Sequence, residues 1–147
     1  MIDCEIVLRF FAFREQTKIR GSVRKILDDC MERNRTLSAQ KLRELRERFL
    51  SALTVSNSVF KPHTFEIKDA DGKWRRSQPL FDAVMVAVDS LIAEKAELIR
   101  RRAQIVETLH KRLTNKEVYE IVVGKPNTAG AVKARIKILT STLKRYA

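Results

Sequence analysis

The chain opens on a dense apolar stretch. Ile2, Ile6, Phe10 and Phe13 recur on one helical face, and Val7, Leu8 and Phe11 widen that face beyond a surface stripe. A helix so broadly apolar wants cover on most sides. At an abrupt chain start, this predicts that Phe10, Phe11 and Phe13 are not all covered by the chain itself and form an interface. Gly21 and Ser22 close the segment and cap the next. Val23, Ile26, Leu27, Cys30 and Met31 then repeat at helical spacing to about Asn34. Ser38 is the expected cap of a further helix, with Leu37 stapled to Leu42 and a buried face of Leu42, Leu45, Phe49, Ala52 and Leu53.

Between Val59 and Ser77 the helical period is lost. Phe65–Lys68 and Lys73–Arg76 flank Asp69-Ala70-Asp71-Gly72, which predicts a short β-hairpin. Pro79 suits a first helical turn, and Leu80 to Leu91 is apolar nearly all round, as a central buried helix would be. Ile92, Ala96, Ile99, Ala103, Val106, His110 and Leu113 follow a 4-3-4-3 spacing and predict one long helix. Thr114 to Glu117 reads as a capping box for a short helix to Val123. Thr128 caps a last helix with a stripe of Val132, Ile136, Leu139, Leu143 and Tyr146.

The pattern therefore predicts a mainly α fold: a multi-helix bundle of about six helices with one short β-hairpin. It reads as a single helical domain over residues 1–147, with the hairpin inserted near 64–76. The length suits one domain, and 44% apolar content supplies a core without disulfide or metal. Four Gly and three Pro are too few for an all-β chain.

Charge changes the picture more. The formal net charge is +12, which favours nucleic acid as a partner, or an acidic protein surface. After Glu120 there is no acidic residue, yet Lys125, Lys133, Arg135, Lys137, Lys144 and Arg145 follow. Lys133, Lys137 and Lys144 share a helical face, and with Arg135 they are the first candidates for phosphate contact. Arg101 stands in the basic collar Arg100-Arg101-Arg102, with Glu94, Glu97 and Glu107 nearby to neutralise it. Lys73 and Arg75 beside Trp74 suggest a stacking platform for a strand, unless the ring covers a core edge. Arg43, Arg46 and Arg48 interleave with Glu44 and Glu47 as a salt-bridged surface.

Catalytic chemistry finds little support. Cys4, Cys30, His63 and His110 lack zinc-ligand spacing, so no metal or other cofactor is expected. Asp82 and Asp89 share a face, but an acid in a first turn is explained by the helix dipole. Cys30 falls on a core face and His110 at the edge of one. There is no Gly-rich phosphate loop and no nucleophile with a paired base, so an enzyme is not expected. An acidic start and the lack of a long apolar run predict a cytoplasmic protein without a membrane segment.

Several segments resemble one family. Glu5 to Phe13 (EIVLRFFAF), Ile26 to Asn34, Leu80 to Val86 and Lys133 to Ile136 are similar, in order, to the helical C-terminal region of the domain-of-unknown-function 262 family (GmrSD-type, ParB/sulfiredoxin-like). The resemblance implies a part of a prokaryotic restriction or anti-phage-defence protein. The family's N-terminal core, with its Gln-Arg motif and nuclease chemistry, has no counterpart here, so no catalytic residue is carried over. The expectation is a non-catalytic helical C-terminal domain that supports the catalytic core and contacts nucleic acid without sequence preference. The alternative is a freestanding protein–protein interaction module that docks a partner through its Phe-rich first helix. The partner would be the missing catalytic domain or a separate protein, and a homo-oligomer is allowed.

Overall fold

The computed structural model describes residues 2–69, 71–124 and 126–147. Ala70 of the hairpin turn, Lys125 of the basic tail and the side chain of Ile2 lie outside the described residues. Eight helices and one antiparallel hairpin are found among the described residues. In order they are α1 (Ile2–Arg14), α2 (Val23–Arg33), α3 (Ala39–Phe60), β1 (Glu66–Lys68), β2 (Trp74–Arg76), α4 (Gln78–Ser90), α5 (Lys95–Arg100), α6 (Arg102–Leu113), α7 (Lys116–Val123) and α8 (Ala129–Leu143). Short 3-10 turns, Gln16–Lys18 and Ile92–Glu94, join α1 to α2 and α4 to α5.

Most helix starts are set by side-chain oxygens that satisfy otherwise orphaned N–H groups. Ser22 accepts from the Lys25 N–H, Ser38 from Lys41 and Thr128 from Ala131, each at 3.2 Å. Ser77 caps α4 through the Leu80 N–H. The cap of α7 is Asn115, one residue after the predicted Thr114, accepting from Val118 at 3.1 Å. Thr114 instead donates to the Lys111 carbonyl of the preceding helix. Backbone atoms of Ser22 and Thr128 form an isolated antiparallel bridge, which sets the starts of α2 and α8 side by side.

α4 is the central helix, as its all-round apolar character predicted, and α8 packs most extensively against it. Around this pair lie two cores. One gathers Val55, Val59, Leu80, Val84, Val88, Leu98, Ile105, Leu109, Leu139 and Leu143. The other gathers Phe10, Phe13, Ile19, Val23, Ile26, Met85, Val86, Val132 and Ile136. Each fully buried Leu, Ile, Val, Met or Phe side chain contributes roughly 1.5–3 kcal/mol.

The long helix expected over Ile92–Leu113 is interrupted. Arg101 leaves helical geometry (φ −96°, ψ 17°), ends α5 and opens α6. The break shifts the phase of the buried face. Leu98, Ile105 and Leu109 are the buried residues, whereas Ile99, Ala96, Ala103 and His110 of the predicted stripe are exposed. This split turns one expected helix into two, and the described residues hold eight helices where the pattern predicts about six. α3 also differs: only Ala52 of its predicted face is buried, joined by Val55, Ser56, Val59 and Phe60. Its first half runs past the cores, and Leu42 remains 54% exposed.

The hairpin forms in register Glu66↔Arg76, Ile67↔Arg75 and Lys68↔Trp74. The Asp69 carboxylate accepts from the N–H groups of Asp71 and Lys73, and Gly72 supplies the positive φ of 76°.

Candidate nucleic-acid interface

α8 buries Val132, Ile136, Leu139 and Leu143, which fixes its rotation. Lys133, Lys137 and Lys144 then emerge exposed on one side. Together with Thr140, Ser141 and the 3-10 residues Gln16 and Thr17 they line an open cleft of about 590 Å³. None of the three lysines has an acidic partner among the described residues. Gln16 and Thr17 could not be found from sequence, because they reach the α8 cleft only through the tertiary fold.

The other predicted cations separate into distinct environments. Arg135 sits among the lysines in sequence but is only 1% exposed. Its guanidinium donates to the carbonyls of Ile121 (2.9 Å), Gly124 (2.9 Å) and Pro126 (2.6 Å). It therefore clamps the loop after α7 and is not available to a phosphate, which corrects its assignment to the interface. Burial draws its pKa down, with the nearby Asp82 charge opposing. Arg101 and Arg100 both bond Glu97, which holds that carboxyl down to about 2. Arg75 pairs with Asp69 across the hairpin, and Lys73 is exposed beside it. Neither lines the lysine cleft. Trp74 is not a free platform, since the His63 ring stacks on it at 3.7 Å and 8°.

The interface assigned to the first helix also needs correction. Phe10 and Phe13 are fully buried and cannot meet a partner, because α1 packs against α2 and α4. Phe11 is half-buried and lines a groove of about 700 Å³ with Val7, Leu45, Phe49 and the exposed Met31, Leu42 and Leu50.

The two acidic residues of α4 are both buried. α4 starts at Gln78, so Asp82 falls in its second turn, and Arg9 rather than the helix dipole holds it. Asp89 is shared by Arg14 and Arg48, each with Nε 2.7 Å from it. Arg48 thus leaves the predicted surface ladder of α3 to reach α4. Among the described residues no three His, Cys, Asp or Glu side chains gather around a common metal position. Burial pushes the Cys30 thiol up, away from a reactive thiolate. No described helix is long and apolar enough to cross a membrane.

No family model, curated protein or solved structure matches the chain.

Proposed function

We propose that this chain is a non-catalytic helical domain that holds nucleic acid by its backbone, in support of a catalytic core of the restriction or anti-phage-defence type its motifs resemble. The observation that carries this reading is the face of Lys133, Lys137 and Lys144, exposed and without acidic partners among the described residues. A field of unpaired ammonium groups attracts polyanions and is weakened chiefly by salt. Lysine is a point charge without the fork that reads guanine, so affinity without sequence preference is expected.

The experiment titrates duplex DNA and RNA with wild type and with the Lys133→Ala/Lys137→Ala/Lys144→Ala variant at several salt concentrations. Removing three phosphate contacts lowers the log–log salt slope for duplex DNA by about 2.7. Equal affinity and equal slope for the two proteins would end the proposal.

A second reading, a protein-docking module, rests on the groove beside Phe11. Met31 is 58% exposed at its edge, and Arg35 and Arg46 add positive charge to its rim. A groove of this kind suits an amphipathic helix with acidic flanks. A labelled Leu/Glu amphipathic peptide should bind, and Met31→Glu with Leu42→Glu should abolish that binding. Unchanged binding by the double variant would dismiss this reading.

A further inference from the structure

A separate cavity of about 480 Å³ lies between the hairpin and the helices. Its floor is apolar: Phe60 at the end of α3, Leu80 and Val84 of α4, and Leu109 and Leu113 of α6. Its wall is the aromatic stack of His63 on Trp74, with the His110 ring centroid 6.0 Å from that of Trp74. Two exposed lysines are among its lining residues. Lys68 holds its ammonium 5.3 Å from the centre of the Trp74 ring, and Lys61 follows Phe60 of the floor at the end of α3. Neither lysine has an acidic partner among the described residues. The one carboxylate of the lining, Glu66, is already engaged by His63 Nδ1 at 2.9 Å.

A second observation marks the same place. Phe65, a lining residue, adopts φ 66°, in the left-handed region that non-glycine residues avoid. It is held there by the Ser77 N–H, which donates to its carbonyl at 2.9 Å, and by packing of its ring on Phe81. Strained backbone of this kind clusters at ligand clamps. The volume falls within the range of small-molecule sites, which combine an apolar lining with a few polar groups.

We propose that this cavity binds a small aromatic carboxylate, its ring seated on the Phe60–Leu109 floor and its anionic head between Lys61 and Lys68. A cation would meet two like charges in the lining. A neutral ring would leave both ammonium groups unmatched. A nucleobase in a strand would compete with His63 for the face of Trp74 that His63 already covers. The site is distinct from the lysine cleft of α8, since the two share no lining residue.

Trp74 is the single tryptophan of the chain, so its emission reports on this wall without background. The full chain is titrated with 3-phenylpropanoate, with the neutral 3-phenylpropanamide and with the phenethylammonium cation, none of which absorbs where tryptophan is excited. A saturable change is expected with the carboxylate. Its affinity should exceed that of the amide by about tenfold, equivalent to about 1.4 kcal/mol. The Lys61→Ala/Lys68→Ala variant, at exposed positions that leave the fold intact, should bind acid and amide alike. Leu113→Phe, at a half-buried position of the floor, should weaken both. The Lys133→Ala/Lys137→Ala/Lys144→Ala variant should bind the carboxylate as wild type does, which separates this site from the proposed nucleic-acid face. No saturable change with the carboxylate, equal affinity for the acid and the amide in wild type, or tighter binding of the cation would each overturn the proposal.

Discussion

The Arg9 guanidinium grips the Asp82 carboxylate with Nε 3.1 Å from both oxygens and an Nη 2.5 Å from one of them, with both side chains sealed from water. The contact joins α1 to α4 across 73 positions of sequence. Burial pushes the Asp82 carboxyl up, and the bonds from Arg9 only partly offset it. Burial also opposes the charge on Arg9, but there the bonds to Asp82 prevail and hold its pKa up. Asp82→Ala strands a buried cation and should cost about 3–5 kcal/mol in urea denaturation. Replacing both partners by apolar residues, Arg9→Met with Asp82→Leu, should recover most of that loss. A double variant as unstable as the single would show that the pair contributes net stability rather than specificity of packing.

Phe11 and Phe13 are two residues apart and should respond differently. Phe13 is wholly inside, beneath the Arg9 guanidinium 5.1 Å from its ring centre. Phe13→Ala should cost about 3–5 kcal/mol, as large-to-small core changes do. Phe11 is half-buried at the groove. Phe11→Ala should cost less than half as much in the same denaturation series, and comparable losses would mean that Phe11 is a core residue.

Arg135→Ala should destabilise the fold without touching nucleic-acid binding. It strips partners from three carbonyls and removes a buried fork, with an expected loss of about 2–4 kcal/mol. Arg135→Lys cannot reproduce the fork and should recover only part of this. Under conditions where the variant is folded, its DNA affinity and salt slope should equal those of wild type. A reduced slope would return Arg135 to the interface.

Glu97 gives a pH signature. Hydrogen bonds from Arg100 and Arg101 lower its pKa from 4.5 to about 2. Because the folded value is depressed, the stabilisation is present above about 4.5 and is lost as pH falls towards about 2. Carboxyl NMR titration should show this low midpoint in wild type. In Arg100→Ala/Arg101→Ala the midpoint should return towards 4.5, and the same low midpoint in that variant would assign the shift to another cause.

What was legible in sequence was local. Ser22, Ser38 and Thr128 cap the helices they were predicted to cap, because a capping bond closes within three residues. Asp69 and Gly72 announce the hairpin for the same reason. What failed depended on distant chain. The 4-3-4-3 pattern through Ile99 and Ala103 lost its phase at Arg101, where no proline or glycine marks the break. Arg135 carries a charge, and a charge is read as surface unless its three carbonyl acceptors, 9 to 14 residues earlier, are known to fold back onto it. The lysine face was visible as spacing along α8, while its opposite wall, Gln16 and Thr17, was not.

α4 belongs to both cores at once: Leu80, Val84 and Val88 face one, and Met85 and Val86 the other. The two halves of the molecule therefore lack separate foundations. Neither can open without exposing a helix the other depends on, so the chain should melt as one cooperative unit, with its slowest-exchanging amides in the middle of α4. An alteration at Ala83 or Ala87, both fully buried, would be felt by the lysine face of α8 and the aromatic cavity together, although the two sites share no residue.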